Sequence, residues 1–138
     1  MTDISRTLGK HKKRDVSVMA LELNVSDMAA ADTYELAVLP KNVLITASSL
    51  VVLTPFDGTT PTVAVGFEGG TGAELIAATA IDSAADTVAA GNGDISRQTG
   101  GVITATKVGT STTGRAFFTI EYIEYEQCTG ELTNFVSA

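Results

Sequence analysis

The sequence predicts an all-β domain, a two-sheet sandwich behind an extended N-terminal arm, and three observations carry that prediction. Apolar residues recur at every second position in several short segments, which is the period of a half-buried strand. Clusters of Gly, Pro, Asp and Ser stand between those segments with the chemistry of turns. No stretch places large apolar side chains at the 3.6-residue spacing of an amphipathic helix. About seven short strands with turns between them is the pattern of a sandwich or a barrel, and the sandwich is preferred. No fixed-period repeat points to a solenoid or propeller.

The first 15 residues form the arm. Arg6, Lys10, Lys12, Lys13 and Arg14 stand there against Asp3 and Asp15, whereas the rest of the chain is strongly acidic and the whole carries a net charge of −7. A basic arm on an acidic body seeks an acidic surface, on a sister copy or on a different protein. Nucleic acid is disfavoured, because the acidic domain behind the arm would repel phosphates. A solvated terminus with no partner is the bland alternative.

After Asp15 the alternation begins. Met19, Leu21, Leu23 and Val25 share one face of a strand over 16–26, and Ser26 to Asp32 make a turn. Tyr34, Leu36 and Val38 then share the inward face of a second strand, which Pro40 stops. Val43 to Thr54 is β-branched and apolar at both parities, so it predicts a central strand with both faces covered, or one that crosses from core to interface. Asp57 to Pro61 reads as a hairpin loop before Val63, Val65 and Phe67 alternate again. Gly66, Gly69, Gly70 and Gly72 end that strand. Ala73 to Ala90 is Ala-rich enough to permit a helix, but Leu75, Ala77, Thr79 and Ile81 are in phase for a strand, and a short strand at 74–81 followed by a loop through Gly91 and Gly93 is preferred. Val102 to Val108 is a strand, Ser111 to Gly114 a second hairpin turn, and Arg115 to Glu126 the strongest strand of the chain. Ala116, Phe118, Ile120 and Tyr122 lie on one face of it, and Phe117, Thr119, Glu121, Ile123 and Tyr125 on the other. The domain thus spans 16–126, followed by a tail over 127–138 in which Leu132, Phe135 and Val136 pack either at home or on a partner.

A chain of 138 residues that is 44% hydrophobic and 18% charged lies far from the composition of disordered segments, and it can bury one sizeable core. That core is lean in aromatics, since Trp is absent. The uncharged run Val43 to Phe56 is too short and too interrupted by Thr and Ser to cross a bilayer, and the N-terminus lacks the apolar stretch of a signal peptide. Synthesis in a cytosol and no membrane partner are expected. With Cys128 alone, no intrachain disulfide forms.

Catalytic chemistry finds no footing. The single histidine, His11, sits in the Lys10 to Arg14 run, and Cys128 has neither a CxxC partner nor a nearby base. The Gly66 to Gly72 stretch lacks the Lys-Ser/Thr of a phosphate loop. Asp82, Asp86 and Asp94 lack the alternating oxygens and closing Glu of a calcium loop. Glu121 and Glu124 fall on opposite faces of a strand, so with Glu126 they read as an outward acidic edge that guards against aggregation, not as a glycosidase pair. No catalytic, cofactor-binding or metal-ligating set is expected.

Tyr34 to Pro40, Val43 to Val52, Phe56-Asp57-Gly58, Val63-x-Val65-Gly66 and Gly114 to Tyr122 occur in an order that resembles small structural proteins of tailed bacteriophages. In that group a strand ending in Leu-Pro, here Leu39-Pro40, leads to a Val/Thr-rich strand, an Asp-Gly turn and a closing Gly-Arg-x-aromatic strand with a Glu-Tyr pair, here Gly114, Arg115, Glu121 and Tyr122. The similarity spans residues 33–125. It implies a jelly-roll-like antiparallel sandwich on the virion, of the head decoration (cement) type, which sits as a homotrimer on the capsid surface. The basic arm lies outside the shared pattern.

The expected function is therefore binding to the assembled head, where the protein ties neighbouring major capsid protein subunits together. Arg6, Lys10, Lys12, Lys13 and Arg14 would give charge complementarity and orientation, and Phe117, Tyr122 and Ile123 subunit contact. A tail, neck or head-fibre component is the nearest rival, separable by a ring of about six or twelve copies against a trimer. A carbohydrate or small-ligand module is a rival of another class, weakened by the lack of Trp platforms. An enzyme comes last, since it would have to draw a catalytic group from the loop acids alone.

Overall fold

A computed structural model of the chain describes residues 16–24 and 33–125. Nine strands occur there: β1 Val16–Asn24, β2 Thr33–Leu39, β3 Val43–Thr54, β4 Thr62–Phe67, β5 Ile76–Ala80, β6 Val88–Ala90, β7 Ile95–Arg97, β8 Gly101–Val108 and β9 Arg115–Glu124. One sheet has the order β1-β9-β3-β6, with β7 also on β3, and the other β2-β8-β4-β5. All pairings are antiparallel. From β1 to β4 the chain alternates between the sheets, β4 and β5 pair within the second, and β6 and β7 both return to β3. Strands β8 and β9 fall in opposite sheets with β9 beside β1, which is the double Greek-key winding of a jelly roll. The all-β, jelly-roll-like sandwich expected from the sequence is the fold observed. Among the described residues no helix is long and apolar enough to cross a membrane.

The core lies between the inward parities of both sheets. Leu23 of β1, Val43, Ile45, Leu50 and Val52 of β3, Val63, Val65 and Phe67 of β4, Ile103 of β8, and Ala116, Phe118 and Ile120 of β9 are all buried. Phe56, Phe67 and Phe118 are the buried aromatics among the described residues, in keeping with the lean aromatic content. At one end the Arg97 guanidinium of β7 lies 4.1 Å over the Phe67 ring of β4 in the opposite sheet while its Nε donates to Gly100 O. Lys107 is buried as well and donates from Nζ to Gly109 O.

Several local expectations change. Asp57 to Pro61 and Ser111 to Gly114 are not hairpins: β3 and β8 hand the chain to β4 and β9 in the opposite sheet. Turn chemistry marks a reversal but carries no information on which sheet receives the next strand. The two crossing loops are tied to each other, since the Asp57 carboxylate accepts from Thr112 N, Thr112 Oγ1 and Thr113 N. These bonds stabilise its charged form and hold the carboxyl at about 2.

In β2 the register shifts between Glu35 and Ala37, so Leu39 turns inward and Val38 is 71% exposed, against the simple alternation. A similar shift between Ile45 and Ala47 moves the inward set of β3 from odd to even positions, which explains why that strand is apolar at both parities. Its outer face is half-buried, not covered. The strand expected at 74–81 is shorter, and Ala77 points outward while Leu75 and Ile76 are both buried. The expected loop through Gly91 and Gly93 contains β6 and β7, each three residues long and recruited by the free edge of β3. Val25, the turn at 26–32 and the tail at 127–138 fall outside the described residues.

Candidate interaction surface

Strand β9 is central in its sheet, with β1 on one side and β3 on the other, so each of its side chains has two cross-strand neighbours. Its inward residues Ala116, Phe118 and Ile120 are fully buried. The outward parity carries Arg115, Phe117, Thr119, Glu121 and Ile123, and here the sheet presents an organised face. Val16, Ile123 and Leu44 form one apolar row across three strands. Phe117 and Val51 form a second, continued by Val88 on β6 and by Glu22 on β1. Between them lie Val18, Glu121 and Ala47, then Ala20, Thr119, Ser49 and Ala90. Val16 is 54%, Val18 62% and Val88 60% exposed, so this face keeps apolar surface in contact with solvent.

Polar contacts rim the face. Arg115 Nε meets Glu22 Oε1 at one end, an exposed pair worth at most about 1 kcal/mol. Ser96 Oγ and Tyr125 OH are 2.7 Å apart at the other. In the middle the Ser49 and Thr119 hydroxyls pair at 2.7 Å. The face is thus two apolar rows divided by Glu121 and the Ser49–Thr119 pair, a mixed apolar and polar surface of the kind found at protein–protein contacts.

The three strand residues singled out from the sequence do not share one surface. Phe117 and Ile123 lie on the outer face, whereas Tyr122 points inward and packs against the core, opposite Ser17 and Ile45. Parity along β9 separates them. Arg6, Lys10, Lys12, Lys13 and Arg14 lie outside the described residues, as do His11, Cys128 and Glu126. Sequence reasoning missed Val16, Val18, Leu44, Val51 and Val88. The off-phase valines of β1 were a legible signal, but which residues sit beside Phe117 depends on register, and the β3 bulges shift it.

The other sequence features resolve as scaffolding. The Gly-rich stretch after β4 folds around the Glu74 carboxylate, which accepts from Phe67 N at 3.0 Å and Thr71 N at 2.7 Å. Burial alone would raise the pKa of Glu74, but these backbone bonds outweigh it and the net direction is down. Both amides are thus spent on the loop's own acid. A shallow cleft of about 210 Å³ lies between this loop and Thr33, Thr104 and Thr106. Asp82, Asp86 and Asp94 are exposed, and no group of three or more His, Cys, Asp or Glu able to hold a metal occurs among the described residues.

No protein-family model and no curated protein matches the chain. Solved structures do. A chain in the acidic stable capsid structure of Helicobacter pylori bacteriophage KHP30 is 17% identical with a TM-score of 0.67, and the match covers 82% of this chain and 91% of that one. A chain in the capsid asymmetric unit of cyanophage Pam1 is 15% identical with a TM-score of 0.64, covering 83% and 89%. A chain in the capsid of Ralstonia phage GP4 is 20% identical with a TM-score of 0.61, covering 82% and 86%. At these identities the likeness is one of fold, and the jelly roll described above is the fold that these capsid chains share.

Proposed function

We propose that this protein is a virion structural component of a tailed bacteriophage, a decoration protein that binds the outside of the assembled head and ties neighbouring major capsid protein subunits together. The observation that carries this reading is mutual coverage: in three phage capsid structures the match covers 86–91% of the other chain and 82–83% of this one. The apolar outer face around Phe117 and Ile123 supports a role in contact, and the charge split between arm and domain supports an acidic surface as the arm's target.

The mechanism is linkage. A protein that binds the assembled shell and not its free subunits stabilises the shell by its differential affinity, and copies joined in a trimer gain through effective concentration. Imaging heads with and without the protein tests this directly. Added density at lattice symmetry axes, with a raised head melting temperature, is expected. Heads that gain neither density nor stability at saturating protein overturn the proposal.

A further inference from the structure

Of the sheet edges formed by the described residues, β1 is the least defended. It is nine residues long, pairs with β9 in unbroken register from Val16 to Asn24, contains no Pro, Gly or Lys, and its one charge, Glu22, is paired with Arg115 of β9. The edge strand β2 carries a bulge and Glu35, and β5 pairs irregularly. The third outer position is split between β6 and β7, which are only three residues each. Long regular edges with apolar side chains invite another strand.

The direction of the β1 amides follows from the ladder. Val52 N donates to Thr87 O, and Ser48 O accepts from Gly91 N, so the even backbone groups of β3 after its bulge face β6 and the odd ones face β9. Thr119, opposite Ser49, therefore turns its N–H and C=O toward β3, and Phe118 and Ile120 turn theirs toward β1. On β1 it is Leu21 and Met19 that bond to β9. Val16, Val18, Ala20, Glu22 and Asn24 are left directing theirs at the open edge, where no described strand pairs with them.

We propose that this edge pairs antiparallel with β1 of a second copy, about a two-fold axis at Ala20. That register engages all nine residues, sets the small Ala20 against itself and places Val18 against Glu22 of the second copy. Charge selects the occupant. In sequence β1 is preceded by Lys10, Lys12, Lys13 and Arg14 against Asp15 and followed by Asp27 and Asp32. That order of charge, net basic before and acidic after, is complementary to its own reverse, as in an antiparallel second copy, and like on like in a parallel one. The pairing needs no capsid and is distinct from a three-fold contact, so it stands or falls apart from the function proposed above.

Sedimentation velocity of the full chain over a concentration series is the test. The expected result is a reversible step that doubles the mass of the smallest species and weakens as salt is raised. Ala20→Pro removes an edge-directed N–H and no β1–β9 bond, so the fold is kept, checked by circular dichroism, while association weakens by at least about tenfold. Lys12→Glu with Lys13→Glu weakens it as well. Val18→Lys, which sets a cation opposite both Glu121 in the same copy and Glu22 in the second, retains or tightens it. Hydrogen exchange then slows at Val18, Ala20 and Glu22 with rising concentration. A chain without the doubling step at any concentration overturns the proposal, as does a step that Ala20→Pro leaves unchanged or that Val18→Lys abolishes.

Discussion

Replacing Gly114 by alanine tests the crossing of the two loops that joins the sheets. Gly114 has a φ of +146°, a region that L side chains rarely enter, and a Cβ built there meets Phe56 Cγ at 2.3 Å and both ring Cδ atoms at 2.6 Å. Ordinary carbon contacts are about 3.5–4.0 Å, and Phe56 is 2% exposed, so the ring has no room to retreat. Backbone strain of this kind costs about 1–3 kcal/mol. Overpacking adds about 1–3 kcal/mol. The sum, about 2–6 kcal/mol, is a large share of the roughly 5–15 kcal/mol that holds a domain folded. Urea unfolding of the wild type, Gly114→Ala, Phe56→Ala and the double variant separates the two contributions. With alanine at 56 the clashing Cγ and both Cδ atoms are gone and the backbone part stays, so Gly114→Ala becomes cheaper by about 1–3 kcal/mol in that background. A loss below about 0.5 kcal/mol for Gly114→Ala, or an equal loss in both backgrounds, refutes the reasoning.

Phe118→Ala removes a fully buried side chain at the centre of the larger sheet and is expected to cost about 3–5 kcal/mol, measured by the same unfolding transition. Phe117→Asp, on the outer parity of the same strand, is expected to cost far less stability and to abolish binding to heads in a co-sedimentation assay. Asp57 titrates near 2 in the folded chain against 3.8 for the free group, so its contribution is complete above about pH 4 and disappears as pH falls toward 2. Asp57→Asn is expected to flatten that part of the stability–pH profile, followed by thermal melts. Removing residues 1–14 is expected to weaken head binding without moving the melting temperature, and truncated protein that binds as tightly as the full chain eliminates the arm as a contact.

The sandwich was legible because its cause is local. Alternation in β1, β4 and β9 requires nothing beyond a pleated backbone with one buried face, and Pro40, Asp57-Gly58 and Gly114 mark chain reversals by their own conformational limits. Three things were not legible. Strands β6 and β7 are too short to show a period and exist because β3 offers them an edge. The inward set of β2 and β3 changes parity at bulges, which depend on the partner strand. The Asp57 clamp joins residues 55 positions apart.

The same division runs through the candidate surface. Composition and charge order along the chain determined that there is an apolar core, a net basic N-terminal segment and an acidic remainder, because these are properties of residues and of near neighbours. Only the tertiary structure decided that Tyr122 belongs to the core while Phe117 and Ile123 face outward beside Leu44, Val51 and Val16. It also decided that both apparent hairpins cross between sheets and that, among the described residues, β1 lies at an edge of its sheet with β9 alone as neighbour. The physical reason is that strand pairing brings together residues far apart in sequence, and a shift of one residue in register exchanges every inward side chain for an outward one.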